Sequence, residues 1–378
     1  MKNETSLIQQ QQQQHQTQQT HHLKMGTPKP RLDIFKESPH LLSKKCRTST
    51  PSVRPPKPPM KSTKSSRSFC SANTNNDPYC RLFKEFEIKS KIGKGDFADV
   101  YEAKSYKDNK FYAIKRTSIP FLSNSDRLRK LQEVRNHQQL PPHPNCVRYV
   151  DSWEEDGFLY IQTELCKTSL NEVLEKSEEH KLPEQKVWSL LLDLLSAVKH
   201  LHDHDLIHMD IKPDNIFISF DNVAKLGDFG LMHNALDLNS SMDEFDISFN
   251  NNSINDHDDS GIINRSDESI DSIDEGDSKY LASETMQGKF TKAADIFSLG
   301  ITIFEVASGL DLPKCGESYH KLRHNEIEDL YFNGLSKDLI NIIKSMMEED
   351  YTRRPTIDEL LQYDAIRSRK LDRHTLIF

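Results

Sequence analysis

The sequence is poor in the features that would mark a secreted, membrane-spanning or metal-clustered chain. Its six cysteines, Cys46, Cys70, Cys80, Cys146, Cys166 and Cys315, have neither paired nor ligand spacing. That excludes a disulfide framework and fits free thiols in a reducing compartment. No signal peptide is expected, because the N-terminus is polar and glutamine-rich. The longest apolar stretch, residues 296–310, is short for a membrane span and carries Glu305, so a buried core helix is the better reading. The net charge of −8 hides a basic block over the first eighty or so residues and an acidic one at 236–274, with roughly ten acids for each base. Neither block suggests a nucleic-acid partner. A cytoplasmic or nuclear protein is expected.

Apolar residues are unevenly spread. Residues 1–82 hold a glutamine tract followed by Pro, Ser, Thr and Lys, with scarcely any periodic apolar pattern, and read as a disordered tail. Thr27, Ser38 and Thr50 there each precede a proline and are candidate proline-directed phosphorylation sites. From 83 to 370 dense apolar runs with strand and helix periods predict one folded unit of two lobes. The polar stretch at about 236–274 interrupts it. That stretch mixes Asn, Ser and Asp with isolated Ile and Phe, too little apolar area to offset the entropy of ordering, and is expected to be a disordered insertion.

The first lobe opens with an alternating run that predicts a strand placing Phe86, Ile88 and Ile92 on one side. Gly93-Lys94-Gly95-Asp96-Phe97-Ala98-Asp99 follows, before a second strand beginning at Val100. Two glycines let a backbone fold closely over phosphates, although a Gly-x-Gly hairpin turn alone is a weak signal. The signal strengthens at Tyr112-Ala113-Ile114-Lys115, because protein kinases carry their phosphate-pairing lysine at this spacing from the loop. Such a lysine needs an orienting carboxylate, and Glu133 lies near the centre of a helix expected over 126–140.

In the second lobe, residues 183–202 predict an amphipathic core helix with Pro183 in its first turn. Then come His208-Met209-Asp210-Ile211-Lys212-Pro213-Asp214-Asn215 and, past a short strand, Asp228-Phe229-Gly230. Phosphoryl transfer needs positioning and charge neutralisation more than covalent help. Asp210 suits acceptance of the proton from a substrate hydroxyl, and Lys212 suits approach to the transferring phosphate. Asn215 and Asp228 offer hard oxygens to Mg2+. His208 reads as a packed residue. Ala282-Ser283-Glu284 stands where kinases have Ala-Pro-Glu, with Arg354 placed to pair with that glutamate, and Asp295 and Gly300 match a helix supporting the catalytic loop.

These motifs resemble the α+β, bilobal eukaryotic protein kinase fold, with a small β-rich N-lobe (83–164) and a large helical C-lobe (167–370). Several strings resemble the Wee family over the whole folded region. They include Tyr112 to Arg116, Lys130 to Val134, His143 to Arg148, Met209 between His208 and Asp210, and Glu275-Gly276-Asp277 ahead of Tyr280. Leu159 to Cys166 and Leu182-Pro183-Glu184 look more like the membrane-associated dual-specificity branch. The resemblance implies that ATP lies among Ile92, Gly93, Lys94, Gly95, Asp96, Phe97, Ala98, Asp99, Val100, Ala113, Lys115 and Glu133, with Thr163 as gatekeeper and Glu164 to Cys166 as hinge. It also implies phosphorylation of threonine and tyrosine in the glycine-rich loop of a cyclin-dependent kinase bound to its cyclin, and leaves open peripheral association with an internal membrane. A monomer is expected. Ala98 departs from the usual third loop glycine. Lys212 fits serine/threonine kinases in general, so a kinase of other substrate range, or a non-catalytic scaffold, are the alternatives.

Overall fold

The computed structural model describes residues 80–95, 97–235 and 276–371. Residues 1–79 of the expected disordered tail, the acidic insertion, Asp96, Cys46, Cys70 and the three proline-directed sites lie outside the described residues.

The first lobe is a five-stranded antiparallel sheet in the order β1-β2-β3-β5-β4. Its strands are β1 (Phe86–Lys94), β2 (Ala98–Ser105), β3 (Phe111–Thr117), β4 (Tyr149–Glu155) and β5 (Phe158–Glu164). Order starts earlier than the boundary expected at 83. A short helix, α1 (Arg81–Glu85), buries Leu82 against the sheet. Arg81 lies 4.5 Å above the Trp153 ring and pairs with Asp151 at 2.6 Å. Strand alternation in β1 breaks at register shifts after Ile88 and Lys91, and a bulge changes which face a side chain meets. Phe86 is therefore buried while Ile92 is exposed.

The lobe's one long helix, α2 (Asn124–Gln139), starts two residues before the span expected from periodicity. The reason is capping. The Ser123 hydroxyl accepts the Asp126 N–H, and Asp126 accepts the Leu122 N–H in return.

The second lobe is built around α4 (Glu184–Asp203) and α5 (Lys292–Ser308). The apolar faces of both enter one large core with α7 (Lys337–Met346) and α8 (Ile357–Gln362). α3 (Leu170–Lys176), α6 (Glu317–Arg323) and α9 (Asp364–Leu371) are the remaining α-helices among the described residues. The apolar run that includes Glu305 is the buried helix expected. Among the described residues no helix is long and apolar enough to cross a membrane. Glu305 is buried because it accepts the Tyr280 hydroxyl at 2.8 Å, which satisfies a charge that burial would otherwise penalise.

Small β pieces lie where the lobes meet. β6 (Thr168–Ser169), β8 (Ile216–Ile218) and β9 (Ala224–Leu226) form one sheet, while β7 (Leu206–Ile207) pairs with β10 (His233–Asn234). The catalytic loop runs from β7 to β8, and Asp228-Phe229-Gly230 lies between β9 and β10.

Candidate active site

Antiparallel register builds the roof of the site. Gly93 is paired with Val100, Val100 with Lys115 and Lys115 with Ile161, which makes one row across β1, β2, β3 and β5; Ala113 pairs with Thr163 in the row two residues along. The loop between β1 and β2 is closed by the Gly95 N–H, which donates to the Ala98 carbonyl at 2.9 Å. The Phe97 carbonyl accepts the Ser118 N–H, while the Phe97 ring stands 83 % exposed at the loop tip. Asp99 is held by Lys91 at 2.6 Å. Lys94 is exposed.

At the back of this row the Lys115 ammonium contacts both oxygens of Glu133, at 2.8 and 3.0 Å, and Asp228 Oδ1 at 3.2 Å. Burial alone would lower the Lys115 pKa, but the carboxylates of Asp228 and Glu133 raise it well above its ordinary value. Desolvation pushes Glu133 up, against the pull of Lys115. The Lys115 charge holds Asp228 below the usual carboxylate range against partial desolvation. Lys115 is thus a fixed cation, and Asp228 a fixed anion.

Glu164 falls at the end of β5, in the expected hinge. Its carboxylate is turned out of the site, where it pairs with Lys225 at 2.8 Å and accepts the Arg148 N–H. Only its main chain can face a base. Cys166 is half-buried, and burial pushes its thiol up to about 12, so it stays protonated.

The floor is the loop after β7. Asp210 pairs with Lys212 at 2.7 Å, and Asn215 donates to both the Asp210 carbonyl and its Oδ2, at 2.8 and 2.7 Å. His208 is buried, as expected. Its Nδ1 accepts the Asp210 N–H, and its Nε2 donates to the Gly227 carbonyl at 3.2 Å. Arg354 and Glu284 form a buried pair at 2.5 Å, although Ser283 replaces the usual proline.

Sequence reasoning missed the clamp on Phe229. Asn136 of α2 donates to the carbonyls of Phe229 and Met232 at 2.7 and 2.8 Å, and the His137 ring meets Phe229 edge-on at 4.9 Å. The clamp ties the helix that carries Glu133 to the segment between β9 and β10 that carries Asp228. It also missed Arg323, which donates to the carbonyls of Ser278 and Lys279 at 2.6 and 3.3 Å. An Asn-His pair soon after Glu133 was the signal available for the first; the second has none.

The donor set suits Mg2+. Asn215 spends its amide nitrogen on Asp210, and Asp228 engages Lys115 through Oδ1 and remains 42 % exposed. That leaves Asn215 Oδ1 and Asp228 Oδ2 without a hydrogen bond among the described residues. Two hard oxygens with phosphate and water completing the sphere is how this ion is ordinarily held. No group of three or more His, Cys, Asp or Glu able to hold a metal occurs among the described residues.

The protein kinase domain family matches residues 86–366. The chain is 40 % identical over 292 residues to the membrane-associated tyrosine- and threonine-specific cdc2-inhibitory kinase wee-1.3 of Caenorhabditis elegans, covering 77 % of this chain and 38 % of that protein. It is 37 % identical over 293 residues to the membrane-associated tyrosine- and threonine-specific cdc2-inhibitory kinase of Drosophila melanogaster, covering 77 % and 49 %. It is 35 % identical over 290 residues to a probable protein kinase of Dictyostelium discoideum, covering 75 % and 73 %. The chain thus spans between about two-fifths and one-half of the length of the worm and fly relatives.

Proposed function

The chain belongs to the protein kinase family, on its Wee branch, and from that premise we propose that it transfers the γ-phosphoryl group of ATP to the threonine and tyrosine of a cyclin-dependent kinase's glycine-rich loop. The modification would inhibit that kinase and restrain entry into mitosis. Two relatives are named as cdc2-inhibitory kinases of this double specificity, which supports the substrate.

One observation carries the chemistry: Lys115 contacts Glu133 and Asp228 at once, at 2.8 and 3.2 Å. The lysine that would pair the α- and β-phosphates and the carboxylate that would hold the metal are therefore assembled together. Bound Mg2+ would neutralise charge on the phosphates. Asp210 orients the acceptor hydroxyl and receives its proton as the acceptor oxygen bonds to the γ-phosphorus and the bond to ADP breaks. Lys212, already at Asp210, stabilises charge on the transferring group.

Threonine and tyrosine place their hydroxyls at different distances from the backbone, so one rigid peptide pose could not present both to Asp210. Docking of a folded partner, with contacts away from the reacting residue, would let its loop shift to offer either. Incubation with ATP and a purified cyclin-dependent kinase bound to its cyclin, beside generic peptides, tests the reading. Strong preference for the complex is expected, and equal transfer to unrelated peptides would favour a kinase of other range.

A further inference from the structure

The Asp210 carboxylate makes four contacts, two of them to Lys212, the residue that would turn to the transferring phosphate. Its Oδ2 accepts Lys212 Nζ and Asn215 Nδ2, both at 2.7 Å. Its Oδ1 accepts Lys212 Nζ at 3.0 Å and, from sixty-seven residues downstream, the main-chain N–H of Asp277 at 3.2 Å. A carboxylate offers about four lone-pair sites, so these four contacts from three donor groups fix the orientation of both oxygens, and the sites facing Lys212 are the ones left to an acceptor hydroxyl when that ammonium turns to the phosphate. The Asp277 side chain does not take part in this contact. Its Oδ1 accepts the Lys279 N–H in a local turn.

The residue that permits the approach is Gly276. A Cβ at that position would lie 2.5 Å from the Met209 carbonyl oxygen and 3.1 Å from Asp210 Oδ1. The first atom is backbone and cannot swing aside as a flexible side chain could. Both walls are also tied down. On one side Asp295 accepts the N–H groups of His208 and Met209 at 2.9 and 3.0 Å, and Met209 already sits in the left-handed region at φ 69°. On the other side Arg323 holds the carbonyls of Ser278 and Lys279, Tyr280 donates to Glu305, and Ser298 donates to the Tyr280 carbonyl. Any added atom at 276 must therefore displace either the catalytic loop or the donor to its carboxylate.

We infer that Gly276 and the main-chain N–H of Asp277 are positioning elements for the Asp210 carboxylate, presenting its Oδ1 edge to the acceptor hydroxyl. This rests on the proposed role of Asp210 as base. It makes the turn at 276–280 part of the catalytic geometry.

Three variants test it: Gly276→Ala, which adds the conflicting atom; Asp277→Pro, which removes the N–H; and Asp277→Asn, which keeps it. Turnover is measured on a cyclin-dependent kinase with its cyclin and on myelin basic protein, alongside ATP affinity and melting temperature. Gly276→Ala is expected to lower kcat about 10- to 100-fold, the scale of a sub-ångström to ångström misplacement, with ATP affinity and melting temperature little changed. Asp277→Pro is expected to lose at least about tenfold more kcat than Asp277→Asn, and that comparison decides the matter if Gly276→Ala folds poorly. A kcat for Gly276→Ala within about threefold of wild type, or equal losses in the two Asp277 variants, overturns the inference. Wild-type transfer to myelin basic protein alone would overturn the substrate reading while leaving this one measurable. A wild type inactive on both acceptors would overturn both.

Discussion

Asp295, wholly buried within α5, accepts the backbone N–H groups of both His208 and Met209 and lies 3.0 Å from His202 Nε2. One carboxylate thus fixes the start of the catalytic loop to the central helix of the lobe. Replacing Asp295 with Ala would leave two buried donors without a partner, at about 1–3 kcal/mol each. We expect a melting temperature lower by about 5–20 °C and a loss of kcat larger than the loss of ATP affinity. Calorimetry and steady-state kinetics on the same sample check this, and an unchanged melting temperature would show that the loop is held by other means.

Met209 occupies the position at which many kinases carry an arginine that pairs with a phosphorylated activation loop. Here it is buried with Ile207 and Phe290, with Leu231 and Ala235 packed against them. A thioether cannot pair with phosphate, and the apolar contact already joins the loop after Asp228 to the catalytic loop. Phosphatase treatment is expected to leave the rate within about twofold of the untreated enzyme. A tenfold loss would show that a phosphate is required after all.

His137 gives the stability a pH dependence. Burial, then the Lys115 charge, lower its pKa from about 6.5 to about 4, with Asp228 opposing. The folded value lies below the unfolded one, so the unfolded chain binds the proton first as pH falls. This stabilisation is therefore complete above about pH 6.5 and is lost between there and about pH 4, amounting to about 2 kcal/mol between pH 7 and pH 5. His143 and His233, also lowered by burial, act in the same direction. Chemical denaturation of wild type and His137→Phe at the two pH values should show a smaller decline in the variant. Equal declines would mean that His137 accepts a proton in the folded state.

The catalytic assignment separates chemistry from folding. Asp210→Asn and Asp228→Ala are each expected to reduce phosphoryl transfer by at least about 100-fold while leaving the melting temperature near that of wild type, since both carboxylates face the site rather than the core. Turnover within about tenfold of wild type in either variant would refute its role.

The parts of this site that were legible in the sequence are those whose chemistry demands short spacing. Asp210, Lys212 and Asn215 must converge on one carboxylate and one phosphate, so they lie within six consecutive residues. Lys115 is placed by a loop and two strands. The Arg354–Glu284 pair spans seventy residues, yet each member sits in a recognisable string. The remainder depends on tertiary packing. Nothing local marks Arg323 as a strut for the turn at 278–279, because its partners are backbone carbonyls of any residue type. Glu164 falls in the expected hinge, but only the fold reveals that Lys225 draws its carboxylate away. The β1 bulges that expose Ile92 have no sequence signature here. The Asp277 N–H on Asp210 was invisible for the same reason as Arg323, although the glycine before it was conspicuous.

The account stands or falls on where the phosphate goes. Mass-spectrometric mapping after incubation of the purified protein with ATP and an intact cyclin-dependent kinase bound to its cyclin, with a short peptide of the same glycine-rich loop in parallel, measures this directly. Phosphate is expected on both the threonine and the tyrosine of that loop in the folded complex, with a much lower kcat/KM for the peptide. Equal kcat/KM for peptide and complex would contradict the docking argument, and phosphate found only outside the loop would contradict the proposed function itself.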